Sequence, residues 1–306
     1  MKVIKRQFGE KTGFTIIELL TVMSIIIILI SVLVPGLNLA RRYAKRVKQK
    51  AQFHSISVAL EQFSADQYQS GYPESTLLGT APSFTTGAQR LAEALMGRDR
   101  RGYDPQSSWD AALDSPNLDI YASVARGSSQ VPQVEDSLGR RKGPYLPDVA
   151  AFQVGELYGA ATVNVYNGIG TNPPAPVLTD EYTVKNVTVG GKAVKAGSPV
   201  LYYKANVSST YFPDPNLNVP DIDAARSIIN SFDNEELIAL GTVKSGGSVK
   251  HFFSSDPALG RKIFYDAIRN PQMSPPWPYN QDSYILISAG FDGIYGTTDD
   301  VFNFGE

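Results

Sequence analysis

The sequence predicts an α+β fold in which one long N-terminal helix packs on a small antiparallel β-sheet. Three observations carry this expectation. Residues 14–40 hold a single charge, Glu18, and their apolar run merges into a helical stripe. Residues 181–205, "EYTVKNVTVGGKAVKAGSPVLYYKA", set two β-prone runs on either side of Gly190-Gly191, a turn dipeptide. Residues 283–288, "SYILIS", gather the aromatic and β-branched side chains that fill strands.

The helix comes first in the chain. Phe14 to Ala40 covers 27 residues, about 40 Å at ~1.5 Å per residue, and the hydrocarbon core is ~30 Å thick. Ile25 to Ile28 is a β-branched run that would suit a strand in water. In lipid the backbone must satisfy its own hydrogen bonds, so helix prevails. Pro35 and Gly36 then fall toward the far side of the bilayer, where a local kink is tolerated. Beyond them, Leu39, Tyr43 and Val47 are spaced by four, and Phe53, Ile56, Leu60 and Phe63 by three or four, which continues the helix over 41–70 with an apolar stripe. Gly71-Tyr72-Pro73 ends it. His54 lies off the stripe and reads as a solvated surface histidine.

The segment admits three interpretations. A cleaved secretory signal fits the basic residues Lys2, Lys5, Arg6 and Lys11, but the apolar run is too long and no small-x-small site precedes Arg41. A plain single-pass anchor fits everything except Glu18, because a charge near the bilayer centre costs roughly 2.5–3.5 kcal/mol on insertion scales and usually marks function. The third interpretation explains the glutamate. "KTGFTIIELL", residues 11–20, resembles the prepilin signal of type IV pilins and type II secretion pseudopilins. The resemblance implies a leader, residues 1–13, removed by a prepilin peptidase that cuts between Gly13 and Phe14. It also implies N-methylation of Phe14 and an assembly role for Glu18, the fifth residue of the mature chain. Pro35, the twenty-second, matches a proline common in the family. A buried carboxylate needs a partner. In a stack of offset helices, Glu18 of one subunit meets the new α-amine of Phe14 on its neighbour, so the pair is available to a filament and not to a lone subunit.

Charge is unevenly spread. The chain has 28 Lys+Arg against 30 Asp+Glu, net −2. Six of the bases, Arg41, Arg42, Lys45, Arg46, Lys48 and Lys50, form a collar after the apolar run, and residues 51–306 hold 18 bases against 28 acids. The collar reads as a solvated helix face or as a contact for lipid phosphates and acidic neighbours. Collar charge alone favours the opposite orientation from the leader, but long domains translocate largely regardless of charge. The acidic remainder argues against nucleic-acid binding.

Further along, "GAQRLAEALMG" predicts a short helix stopped by Gly97. The order of spine, Tyr-Pro turn and short helix, followed by "KGPYLP" at 142–147, resembles the major pseudopilins. Pro220 to Leu240 and Ser255 to Arg269 read as helices, the second with Asp256 as its N-cap. "MSPPWPYN", 273–280, reads as a stiff linker. The head predicted over 71–306 is long for the resembling family, which implies an insertion at about 100–280 before a C-terminal loop at 288–306.

Chemistry is sparse. There is no cysteine, which excludes disulfides, thiolate metal sites and a lipoprotein signal. The two histidines, His54 and His251, are far apart, and no HExxH, GxSxG or phosphate-loop motif occurs. His251 reads as a packed or surface histidine and the chain as a non-enzyme. Asp214, Asn216 and Asn218 mimic the start of an EF-hand, but Val219 and Ala225 stand where glycine and a bidentate glutamate belong, so this is a turn. The last candidate is "SAGFDGIYGTTDD", residues 288–300. Its glycines permit tight folding, and Asp292, Asp299 and Asp300 offer oxygen ligands for calcium, with carbonyls near Leu286 to Gly290. The stretch resembles the C-terminal calcium loop of major pseudopilins.

The functional expectation is a structural subunit of a pilus-like filament, most simply a type II secretion pseudopilin. The family implies a single-pass inner-membrane protein with a periplasmic head. Its implied partners are further copies of itself, minor pseudopilins, the inner-membrane secretion machinery, the prepilin peptidase and membrane lipid. A surface type IV pilin and a bitopic ligand-binding protein are the alternatives.

Overall fold

The structure is a computed structural model that describes residues 13–66, 71–76, 84–103, 139, 141–147, 149–159, 165, 175–214, 221–254 and 257–305. The leader up to Thr12, Asn216, Asn218 and Asp256 lie outside the described residues. Its contacts divide the chain into two units, Met1–Ala44 and Lys45–Glu306. Helix α1, Ile16–Asp66, contributes to both.

In the first unit α1 runs through Pro35 and Gly36 without a break in the assigned helix. Its apolar side chains are exposed, Leu29 at 63%. Its few hydroxyls are satisfied locally: Thr21 Oγ1 donates to the Ile17 carbonyl, Ser24 Oγ to Thr21 and Ser31 Oγ to Ile28, at 3.0, 2.8 and 2.7 Å. Such back-bonding lets a hydroxyl sit in an apolar helix without seeking a distant partner.

The second unit is built around a three-stranded sheet, with three two-stranded sheets beside it among the described residues. In chain order its elements are α2 (Gly87–Met96), β1 (Ala151–Phe152), α3 (Val154–Tyr158), β2 (Val177–Leu178), β3 (Lys185–Val189), β4 (Lys192–Ala196), β5 (Leu201–Lys204), α4 (Asp221–Ala225), a 3-10 turn (Ser231–Asn234), α5 (Glu235–Ala239), α6 (Pro257–Ile268), β6 (Arg269–Asn270), β7 (Trp277–Pro278), β8 (Tyr284–Ser288) and β9 (Val301–Phe302). The sheet has the order β5-β8-β9, all antiparallel, with Leu201 opposite Ile287 and Ser288 opposite Val301. Every residue of β8 is buried. The two-residue period of a strand explains why. Tyr202, Tyr284 and Leu286 pack with Phe53, Ile56, Leu60 and Phe63 of α1 and with Leu91 and Leu95 of α2. Leu201, Tyr203, Ile285 and Ile287 point the other way, into a cluster with Ile229, Phe264, Tyr265 and Ile268.

Most expected elements appear. The α1 stripe from Phe53 to Phe63 is buried. Leu39, Tyr43 and Val47, which continue the same spacing upstream, are exposed at 71%, 70% and 52%. The hairpin turns at Gly190 and Gly191, with φ of 55° and 79°, as a two-residue turn with two positive φ angles demands. Gly97 stops α2 with φ 77°, and a Cβ there would lie 2.1 Å from the Gly102 carbonyl oxygen.

Two expectations need correction. The helix predicted over 220–240 is broken into α4, the 3-10 turn and α5. The Ile228 N–H donates to the Tyr211 carbonyl and its carbonyl accepts from Asn206, so the loop at 206–211 takes the bonds that a helix would need. Asn230 then starts the 3-10 turn by accepting from the Phe232 N–H at 3.1 Å. The stretch 273–280 is more than a linker, because Trp277–Pro278 pairs with Arg269–Asn270. The range 100–280 also supplies β5, a member of the central sheet.

Collar residues of this unit engage their own chain. Lys45 Nζ donates to the Tyr182 carbonyl at 2.7 Å, Lys48 pairs with Glu181 at 2.7 Å and Lys50 Nζ reaches the Gly305 carbonyl at 3.1 Å. Exposed pairs of this kind contribute ~0–1 kcal/mol each.

Candidate functional site

Two groups of predicted residues can be placed, one in each unit. The first is the start of α1. Gly13 to Thr15 precede the helix in irregular backbone, and Phe14 is 81% exposed. A Cβ added at Gly13 would meet nothing within 4 Å. Glu18 folds back on this end. Its Oε2 accepts from the Thr15 N–H at 2.9 Å and from Thr15 Oγ1 at 2.8 Å, while the Glu18 N–H points to Thr15 Oγ1 at 3.3 Å. This reciprocal arrangement is a capping box. Thr-Ile-Ile-Glu, residues 15–18, carries that signal in the sequence, with Thr15 as its first half. A plain anchor therefore does offer Glu18 a local role, as half of a cap.

The second group is the loop between β8 and β9. Gly290, Gly293 and Gly296 all have positive φ. At Gly290 the need is steric too, because a Cβ would sit 2.3 Å from the Asp299 carbonyl oxygen. Asp299 organises the loop from within: Oδ2 accepts from the N–H groups of Phe291 and Asp292 at 2.7 and 3.0 Å, and Oδ1 from Thr297 Oγ1 at 2.5 Å. Asp292 Oδ1 accepts from the Ile294 N–H at 2.7 Å. Asp300 Oδ2 accepts from the Gly296 N–H at 2.7 Å, while its Oδ1 is buried with no hydrogen-bond partner.

Electrostatics in the loop follow from crowding and burial. Burial pushes the Asp300 carboxyl up to about 8, helped by the charges of Asp299 and Asp292. Burial, with the charge of Asp299, also raises Asp292. Burial acts upward on Asp299 as well, but the hydrogen bonds from Thr297, Asp292 and Phe291 outweigh it and hold that carboxyl low. Sequence reasoning overlooked Asp180. It is buried under the loop's base, accepts from Ser288 Oγ at 2.9 Å and from the N–H groups of Ser198 and Tyr182 at 3.1 and 3.2 Å, and is pushed up to about 7 by burial. Nothing in its local sequence marks it, because two of its three partners, Ser198 and Ser288, lie far along the chain.

The donor set has the oxygen chemistry that calcium takes, and the buried Asp300 Oδ1 has no hydrogen-bond partner. The geometry fits less well. Among the described residues, no three acidic or histidine side chains stand together as they would around one ion. The loop aspartates give most of these oxygens to N–H and hydroxyl donors of the loop itself.

The histidines stay apart. His54 is exposed, whereas His251 is 1% exposed and its Nδ1 accepts from the Tyr295 N–H at 3.1 Å. Burial pushes His251 down to about 4, so it is neutral at physiological pH. Searches of protein-family models, of curated proteins and of solved structures find no match to this chain.

Proposed function

We propose that the chain is a structural subunit of a pilus-like filament, of the type II secretion pseudopilin kind, held in the inner membrane by residues 14–40 with its C-terminal unit in the periplasm. The observation that carries this reading is the Gly13-Phe14 junction followed, at the fifth position after the cut, by Glu18 at the head of a helix long and apolar enough to cross a membrane. The exposed apolar face of α1 supports it, because lipid and then the helices of neighbouring copies would cover that surface. Prepilin peptidase would act on Gly13-Phe14 and methylate Phe14. Minor pseudopilins and the inner-membrane secretion machinery would be the other partners. The function is mechanical, and no side chain takes a catalytic role.

The test is assembly. Produced with an active peptidase and assembly machinery, the chain enters sheared, sedimentable filaments. Protease access separates the alternatives: protection in the periplasm supports the pseudopilin, and digestion on intact cells supports a surface pilin. A chain that stays monomeric in the membrane under these conditions is a plain anchor or bitopic binder, and the proposal fails.

Calcium belongs to the same proposal. Asp292, Asp299 and Asp300 would hold the ion together with loop carbonyls, and it would supply the positive charge that these crowded acids lack. No Lys or Arg forms an ion pair with them among the described residues. For the full chain in detergent, calcium at a hundredfold above Kd stabilises by ~2.7 kcal/mol. That corresponds to a rise of about 5–10 °C in the melting midpoint for a domain of this size. Asp300→Asn removes the shift. An unchanged midpoint after adding calcium to a chelated sample rejects the ion.

A further inference from the structure

We propose that Asp233 is a proton-operated latch: as a neutral acid it holds residues 71–76, which lie between α1 and α2 in the chain, against the 3-10 turn and β5, and its ionisation loosens that corner. The inference does not rest on the filament reading. The corner is close-packed and polar. Ser75 is buried, donates its hydroxyl to Asp233 Oδ2 and accepts the Lys204 N–H of β5 at 2.8 Å. Asn234, the next residue of the turn, accepts from the Ala88 N–H of α2 and donates to the Tyr202 carbonyl, each at 2.8 Å. The Tyr202 hydroxyl donates to the Pro73 carbonyl at 2.6 Å. A Cβ at Gly87 would lie 2.4 Å from the Tyr202 carbonyl oxygen and 3.1 Å from Ser75 Cβ, so the corner has no slack.

Asp233 is the weak point of this corner. It is 2% exposed, and its Oδ1 is buried with no hydrogen-bond partner. The groups around it compensate an ionised form poorly. Residues 71–76 bring Glu74, a second acid, whose charge opposes ionisation and which itself pairs with Lys204 at 2.5 Å. Helix α2 brings Arg90, whose charge favours the ion but which forms no ion pair among the described residues. β5 and α6 bring Tyr202, Tyr203 and Tyr265, phenols that burial holds above their ordinary range and so leaves uncharged. Glu235, at the start of α5, adds a further negative charge beside Tyr203. A carboxylate with one hydroxyl bond and one bare oxygen in such a place is disfavoured against the neutral acid.

Burial accordingly pushes Asp233 up from 3.8 to about 7. Between these two values the folded chain holds a proton that the unfolded chain has lost. The stability that the neutral acid contributes is therefore complete below the unfolded value, falls as pH rises, and is gone above the folded value of about 7. Asn at this position imitates the neutral acid at every pH, so its difference from wild type isolates this one proton from those on other buried acids.

The experiment compares the full-length wild type with Asp233→Asn in a neutral detergent with chelator, by urea unfolding from about pH 5 to about pH 8.5. The ratio of the wild-type folding constant to that of the variant is expected to fall by up to about tenfold per pH unit until about pH 7, then to level off. Hydrogen exchange at the same pH values locates the effect. In peptides covering 71–76 and 201–205, the ratio of the wild-type exchange rate to that of the variant rises about tenfold from the acid to the alkaline end, the effect of one unit of pKa. If Asp233→Asn does not fold, Ser75→Ala takes its place: it removes the one hydrogen bond that favours the carboxylate, so the fall in stability moves to higher pH. Parallel pH profiles for wild type and a folded Asp233→Asn, an exchange ratio that does not change with pH, or a Ser75→Ala profile that coincides with wild type overturns the proposal.

Discussion

A Gly13→Val chain, produced with an active prepilin peptidase, keeps its leader while the wild type loses Met1 to Gly13. The expected effect is near-complete loss of processing, read as intact mass, and wild-type Phe14 carries an added methyl group. The substitution is a clean one. Nothing lies within 4 Å of a Cβ at Gly13, and the residue precedes the first turn of α1. A side chain there neither strains the helix nor displaces a neighbour, so insertion and folding should match wild type. Any loss of cutting then belongs to the fit of the bond in the peptidase. A mature wild-type chain that still begins at Met1 in such cells refutes the prepilin reading, whatever the variant does.

Glu18 yields the second large effect, and the capping box shapes its design. Glu18→Ala removes both the charge and the cap. Glu18→Gln removes the charge but keeps a side-chain oxygen that can accept from Thr15, since Gln serves in capping boxes as Glu does. The magnitudes differ enough to decide between roles. Loss of a cap costs ~1 kcal/mol, and a membrane-spanning helix, whose backbone has no alternative partners in lipid, does not melt for that. Loss of a charge that a neighbouring amine needs leaves that amine buried and alone, at a cost of ~3–5 kcal/mol. If Glu18 pairs with Phe14 of the next subunit, both variants insert normally and both lose sheared filaments by at least about a hundredfold, as ~3 kcal/mol implies. Filaments from Glu18→Gln at wild-type yield would reduce the glutamate to a cap.

The elements legible in the sequence are those whose signal is local. The 190–191 turn, the Gly97 stop and the α1 stripe each state their geometry within a few residues. β8 was legible for a related reason: with both faces covered, "YILIS" has no need to alternate. Residues 220–240 were misread because helix propensity there is overridden by distant backbone partners at 206 and 211. Leu39, Tyr43 and Val47 keep the period although they are exposed among the described residues, since periodicity reports a face and not its partner. Within the candidate sites, Glu18 stood out as a charge among apolar residues and Asp292, Asp299 and Asp300 as a cluster. Asp180 did not, because its burial and its bonds from Ser198 and Ser288 are properties of the folded neighbourhood and leave no mark on the residue itself.

The pairing of Ser288 with Val301 has a consequence for the loop between them. Both ends are anchored in one sheet, so the chain-entropy cost of closure has been met by the strands before any ligand arrives. That cost grows as (3/2)RT ln n, so for a dozen residues it is about 2 kcal/mol. With Asp299 tying Phe291 and Asp292 from inside, the loop behaves as a stiff hoop and not as a slack tether. An incoming cation would therefore gain little by ordering it. Its affinity would instead reflect how readily Asp299 releases those two N–H groups, and its exchange rate would follow the opening of the hoop and leave β8 undisturbed.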